Sequence, residues 1–255
     1  MAVIISVINQ KGGVGKSTIA FNLDAGIRRK NKGKKNLLID LDSQCSITMT
    51  SKANMTMPTI FEVLKKEIEI EKAIQDTNNT NIIPGSQNLV ELDKVLSETG
   101  KEYRLRESIE KIKDNYDYII IDTPPTLSVA SINALTTSDY VLIPAMADTY
   151  SLAGIGQLYQ TFLAVKKYCN NNLKIAGIVL NRFNPQTILS KQMATMVDDI
   201  AKQIETTVFE TKLRDYTAIK EAQASRTNIF DYCATHNAID DYTDFVNEFL
   251  KKIKK

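Results

Sequence analysis

Short apolar, β-branched runs alternate along the chain with longer stretches in which apolar positions recur every three or four residues. The runs cover 3–8, 36–41, 81–83, 118–121, 140–143 and 174–180. Several are apolar at successive positions, the pattern of strands covered on both faces of a parallel sheet. The longer stretches predict helices over 17–29, 60–74, 87–96, 105–113, 155–168, 191–205 and 242–252. Turn signals stand where the pattern changes, at Asn31-Lys32-Gly33, Pro84-Gly85, Pro124-Pro125 and Asn170-Asn171-Asn172. Repeated strand–helix–strand units call for parallel strands joined by right-handed crossovers. The expected fold is α/β: a doubly wound, mostly parallel twisted sheet with helices on both faces. No internal repeat, low-complexity tract or domain-sized linker breaks the pattern, so residues 1–255 read as a single domain.

Composition changes this picture little, but it excludes several functions. A chain of 255 residues can bury a sizeable core without disulfides or structural metals. Its 32 basic and 30 acidic residues nearly balance, so any affinity for nucleic acid has to come from a local patch. Cys45, Cys169 and Cys233 are far apart with no C-x-x-C, which argues against zinc or an iron–sulfur cluster and favours a reduced, cytoplasmic chain. The apolar N-terminus has no basic flank or cleavage site and reads as a first strand rather than a signal peptide. No apolar run approaches the roughly 20 residues that span a membrane. The lone His236 receives no function.

The chemistry begins where the first strand meets the first helix. Lys11-Gly12-Gly13-Val14-Gly15-Lys16-Ser17-Thr18 has the composition and context of a phosphate loop. Its glycines let backbone N–H groups converge on phosphate oxygens, and the helix N-terminus adds partial positive charge. Lys16 is expected at the β- and γ-phosphates, the Ser17 hydroxyl on Mg²⁺, and Thr18 at a phosphate nearer the base. Two carboxylates, Asp40 and Asp42, end the second buried strand, two apart and so on one face. A further strand ends in Asp122, the Walker B arrangement, with the carboxylate near Mg²⁺ directly or through water. Asn181 ends the strand at 174–180, where its amide can offer a donor and an acceptor to adenine.

Gln10 and Lys11 stand where the common phosphate-loop pattern has its first glycine, and K-G-G-x-G-K-S resembles the deviant Walker A group of ATPases. Within that group the chain resembles the ParA partition ATPases over essentially its whole length. The similarity is carried by Asn9-Gln10, D-x-D-x-Q at 40–44, Asp122-Thr123-Pro124-Pro125, Pro144, and Arg214 through Arg226. Ser43 departs from the proline common in relatives. The resemblance implies that Lys11 reaches the partner's phosphates in an ATP-bound homodimer, a cation supplied in trans to the transferred phosphoryl group. It also implies that Asp42 positions the attacking water and contributes to the metal site, with Asp40 in support. The Asp-Thr-Pro-Pro segment becomes a loop that responds to the γ-phosphate. A second base contact falls near Leu213 and Asp215, although the proline many relatives carry there is missing. The chain looks like the small partition type, without an extra N-terminal DNA-binding domain.

The implied function is plasmid or chromosome partition: an Mg·ATP-dependent dimer on non-specific DNA, stimulated by a ParB-type centromere-binding protein and located in the cytoplasm on the nucleoid. Candidate DNA contacts are Arg214, Lys220 and Arg226 with the C-terminal Lys251, Lys252, Lys254 and Lys255, which would act through charge and weaken with salt. One alternative is a MinD-like membrane-associated ATPase, because the tail 245–255 is basic and amphipathic. Tyr242, Phe245, Phe249 and Ile253 can equally pack on the core, and D-x-D-x-Q favours ParA. A nitrogenase-like or synthetase relative is disfavoured by the cysteine spacing and the lack of a motif for an acceptor substrate. A ParA-like positioner of another cargo remains as a further alternative.

Overall fold

A computed structural model describes residues 1–77 and 80–253, without the side chains of Thr149 and Tyr150. The described residues form one eight-stranded sheet: β1 (Val3–Val7), β2 (Asn36–Asp40), β3 (Gln75–Asp76), β4 (Asn81–Ile83), β5 (Tyr118–Asp122), β6 (Tyr140–Met146), β7 (Lys174–Phe183) and β8 (Leu213–Arg214). The spatial order is β3-β4-β2-β5-β1-β6-β7-β8, parallel throughout except for the antiparallel β3–β4 edge. The α/β, mostly parallel fold expected from the sequence is thus the fold observed.

The helices are α1 (Lys16–Lys30), α2 (Ser46–Thr50), α3 (Ile60–Leu64), α4 (Leu92–Val95), α5 (Arg104–Ile109), α6 (Val129–Thr137), α7 (Thr149–Tyr168), α8 (Ile188–Gln203), α9 (Thr217–Ala224), α10 (Ile229–Tyr232) and α11 (Asn237–Ile253). They cover both sheet faces. Along β5, Ile120 points into a cluster with Ile19, Leu23, Phe245 and Phe249, while Ile119 and Ile121 point into one with Val63, Leu105 and Ala134. Central strands therefore read as unbroken apolar runs because each face has its own helix layer. A third cluster packs Ile143, Ile178 and Leu180 under Ile155, Leu158 and Val197 of α7 and α8.

Two expectations fail in the region between β2 and β5. The helix expected over 60–74 stops early: α3 is opened by a capping box between Thr59 and Glu62, and Lys66 takes a left-handed φ of 61°. Ile70 then reaches the same core from a short 3₁₀ turn, Ile70–Ala73. Apolar spacing alone could not separate one helix from two short pieces serving one cluster. The stretch 87–96 splits likewise into a 3₁₀ turn and α4. The sequence reading also missed α6, whose small residues Ala130, Ser131 and Ala134 give little amphipathic signal.

The C-terminal stripe packs inward. Tyr242, Phe245 and Phe249 of α11 are fully buried and Ile253 nearly so. Each buried aromatic of this kind contributes roughly 1.5–3 kcal/mol. The apolar face that a membrane-surface helix would need is thus spent on the core, which corrects the MinD-like reading of this tail. No helix among the described residues is long and apolar enough to cross a membrane.

Strand register builds the site. Val7 of β1 and Asp40 of β2 both pair with Asp122 of β5, so all three strands deliver their following loops to the same sheet edge.

Candidate nucleotide site

The loop after β1 turns through left-handed Gly13 (φ 75°) and Gly15 (φ 90°), and Gly15 caps α1. A Cβ on Gly15 would stand 2.2 Å from the Asn181 amide nitrogen, so only glycine fits between β7 and the loop. Asn9, buried at the end of β1, anchors the loop: its amide nitrogen donates to the Pro144 carbonyl at 2.7 Å and its oxygen accepts from Lys11 N at 2.9 Å. Gly154 of α7 leaves room for this, because a Cβ there would lie 2.9 Å from the Asn9 oxygen.

Lys16 is 6% exposed and its ammonium donates to the Lys11 carbonyl at 3.3 Å. Burial lowers its pKa, while the carboxylates of Asp122 and Asp42 act in the opposite direction. Asp122 is wholly buried, and neither of its carboxylate oxygens has a hydrogen-bond partner. Burial pushes its pKa well up, reinforced by the Asp40 charge; the nearby Ser17 hydroxyl and Lys16 pull it down without closing a bond of ordinary geometry. Asp40, equally buried, is fully engaged. It accepts from Asp42 N at 3.1 Å, Thr48 N at 3.0 Å and the Thr48 hydroxyl at 2.7 Å. Burial raises its pKa to about 6 against those bonds. Asp42 is 7% exposed and accepts from Gln44 N at 3.0 Å.

These residues suit Mg²⁺ held jointly with a phosphate chain. A buried carboxylate with two orphaned oxygens beside a lysine and a serine hydroxyl is an incomplete site for a cation. No group of three or more His, Cys, Asp or Glu among the described residues could hold an ion unaided. Magnesium characteristically takes one or two carboxylates and completes its shell with water and phosphate oxygens.

The side expected to take the base lies between α1, the end of β7 and α9. Thr18, Asn181, Arg182, Arg214, Asp215, Ile219, Lys220 and Gln223 line one cleft there. The sequence-based candidates Thr18, Asn181 and Asp215 are thereby brought together. Asn181 donates to the Val14 carbonyl at 2.8 Å, which leaves its oxygen as the acceptor toward the cleft. Leu213, the other candidate on this side, is wholly buried in the core. Gln223, missed from the sequence, donates to the Thr18 hydroxyl at 2.6 Å across 205 positions.

Lys11 pairs with Asp148, with Ser151 3.5 Å away. Asp148 caps α7 by accepting from Ser151 N at 2.9 Å. Burial alone would raise its pKa, but the Lys11 hydrogen bond and charge and the Ser151 N–H together lower it. The D-x-x-S spacing of Asp148 and Ser151 was a readable cap signal.

Several of the basic residues expected to bind DNA already have partners within the chain. Arg214 forms a bidentate pair with Asp241 of α11 and lies over the Tyr216 ring, and Lys220 pairs with Asp215 at 3.3 Å. Lys252 donates to the Thr207 hydroxyl at 2.7 Å and lies 4.1 Å over Phe209. Asp241 and Lys252 sit on one helix about 16 Å apart along its axis. Arg226 and Lys251 are exposed, and Lys254 and Lys255 lie outside the described residues.

A family profile described as an AAA domain matches residues 2–175. The chain is 34% identical to the sporulation initiation inhibitor protein Soj of Bacillus subtilis, covering 97% of this chain and 98% of that one. It is 30% identical to the chromosome partitioning protein ParA of Myxococcus xanthus, covering 98% and 88%. The chain belongs to the ParA family of P-loop ATPases. Among solved structures it is similar to a putative plasmid partition protein of Borrelia burgdorferi bound to AMPPNP, with 28% identity, a TM-score of 0.82 and coverage of 99% and 100%. It is also similar to cobyrinic acid a,c-diamide synthase of Mycobacterium smegmatis bound to ADP and magnesium, with 26% identity, a TM-score of 0.85 and coverage of 100% and 96%. The ParA family architecture is therefore shared with a biosynthetic enzyme, and fold does not by itself assign the cargo.

Proposed function

We propose that this ParA family member binds and hydrolyses Mg·ATP in the loop 11–18 and works as an ATP-dependent homodimer in plasmid or chromosome partition, on non-specific DNA in the cytoplasm. Stimulation by a ParB-type centromere-binding partner belongs to the same reading. Lys16 and the loop amides bind the phosphates, Ser17 and Asp122 hold Mg²⁺ with support from Asp42, and Asp42 orients the attacking water. Magnesium, when bound, neutralises charge building on the phosphate oxygens. The observation that carries the reading is the buried Asp122, with both oxygens unpartnered, set beside Lys16 and Ser17 at the mouth of the glycine loop.

Lys11 supports the dimer reading by its place in the loop, and its pairing with Asp148 must open for it to reach a partner. Partly exposed pairs are worth on the order of 1 kcal/mol, less than a charge-assisted bond to phosphate returns. Partition is favoured over synthase chemistry by the near full-length match to Soj and ParA. The test is size-exclusion chromatography with ATP and with ADP, followed by DNA binding in both states. Wild type should dimerise with ATP alone and bind DNA only then; Lys11→Ala should keep monomer nucleotide binding and lose dimer and turnover. Normal dimerisation and hydrolysis by Lys11→Ala would refute the in-trans lysine. Charge reversal at Arg226 should weaken DNA binding at unchanged ATP affinity.

A further inference from the structure

The Thr18–Gln223 contact joins the first turn of α1 to α9 at the rim of the base cleft. A threonine hydroxyl has one hydrogen to donate and two lone pairs to accept with. Here the Gln223 amide fills an acceptor position at 2.6 Å, so the Thr18 hydrogen must point elsewhere. Its usual rival inside a helix is the carbonyl four residues back, which for Thr18 is Val14. That carbonyl already accepts from the Asn181 amide at 2.8 Å. The second lone pair of that carbonyl stays open, so the Thr18 hydrogen has two directions, the Val14 carbonyl and the loop, where anion-seeking N–H groups converge and a bound phosphate would compete for it.

We infer that Gln223 is a positioning residue for the nucleotide: by donating to Thr18 Oγ1 it presents the Thr18 hydrogen to a bound phosphate. The inference rests on reading the loop as a nucleotide site. A scaffolding role for Gln223 is disfavoured by its exposure. Helix α9 is held to the core by its buried Ala218 and Ala222. Because Thr18 lines the cleft on the base side, the phosphate it would meet is one that a di- and a triphosphate share, so the contribution is the same for both.

The experiment is isothermal titration of ADP and of a non-hydrolysable ATP analogue with Mg²⁺ into wild type, Gln223→Leu, Gln223→Glu, Thr18→Val and the Gln223→Leu/Thr18→Val double variant. Gln223→Leu should weaken both nucleotides alike by about fivefold, the size of one lost hydrogen bond. Gln223→Glu should weaken them more, since a carboxylate can only accept and turns the Thr18 hydrogen back on itself. The double variant should bind no worse than Thr18→Val alone, because both changes remove one interaction. Unchanged binding by Gln223→Leu, effects that multiply in the double variant, or a loss confined to the triphosphate would each overturn the role of Gln223. Wild type that binds neither nucleotide would instead sink the loop reading itself. Equal thermal midpoints for wild type and Gln223→Leu would confirm that the affinity change is not a folding defect.

Discussion

Two neighbouring strand ends carry the same residue and use it in opposite ways. Asp40 at the end of β2 and Asp122 at the end of β5 pair in register, and both are wholly buried. Asp40 accepts three hydrogen bonds and ties the D-x-D-x-Q loop to α2; Asp122 accepts none. Burial is the largest cause raising both pKa values, so desolvation does not distinguish them. Unmet hydrogen-bonding capacity does. A buried carboxylate left without partners costs the fold energy, and such a group is kept where an outside ligand completes it.

Mutation should separate the two. Asp40→Ala strips acceptors from two buried N–H groups and a hydroxyl, and should lower unfolding free energy by about 3–5 kcal/mol in urea denaturation. Asp122→Asn should leave stability unchanged or raise it by about 1 kcal/mol, since it removes a buried carboxylate that no hydrogen bond satisfies. Its Mg²⁺-dependent ATP turnover should fall by about 100-fold or more. If Asp122→Asn destabilised the chain as much as Asp40→Ala, the two carboxylates would be doing the same job.

The pH dependence sharpens the comparison further. The folded pKa of Asp40, about 6, lies above its ordinary value, so the folded chain binds that proton more tightly than the unfolded chain. Its contribution to stability is full below about pH 4 and is lost as pH rises through about 6. Asp40→Asn should flatten that part of the stability profile measured by denaturation at stepped pH. Cys45, beside the two aspartates, has its thiol pushed up to about 11 by burial and by the charges of Asp40 and Asp42. Iodoacetamide at pH 8 should label Cys169 and Cys233 well before Cys45, read by mass spectrometry. The smallest expected effect is at another buried polar group with no partner, the Tyr242 hydroxyl. Tyr242→Phe should be neutral or stabilising by up to about 1 kcal/mol, a check that an unpartnered group outside the site brings the fold no benefit.

The glycine loop, the strand ends at Asp40 and Asp122, and Asn181 were all legible in the sequence, and the sheet edge gathers them. Local rules suffice there: an apolar run ends, a glycine or carboxylate follows, and parallel topology carries each such end to the same side. Which basic residues already have partners within the chain was less legible, because a lysine or arginine in sequence shows charge but not its partner. Asp241 claims Arg214, and Thr207 with Phe209 holds Lys252.

What the sequence determined alone was the alternation of buried strands with helices and the phosphate loop, since periodicity and backbone chemistry are encoded within a few residues. What only the tertiary structure decided was which polar groups are satisfied. Asp40 is engaged and Asp122 is not, Lys11 folds onto Asp148, and Gln223 meets Thr18 from 205 positions away. Hydrogen-bond partners are set by distance in space, and only the packed chain fixes that distance.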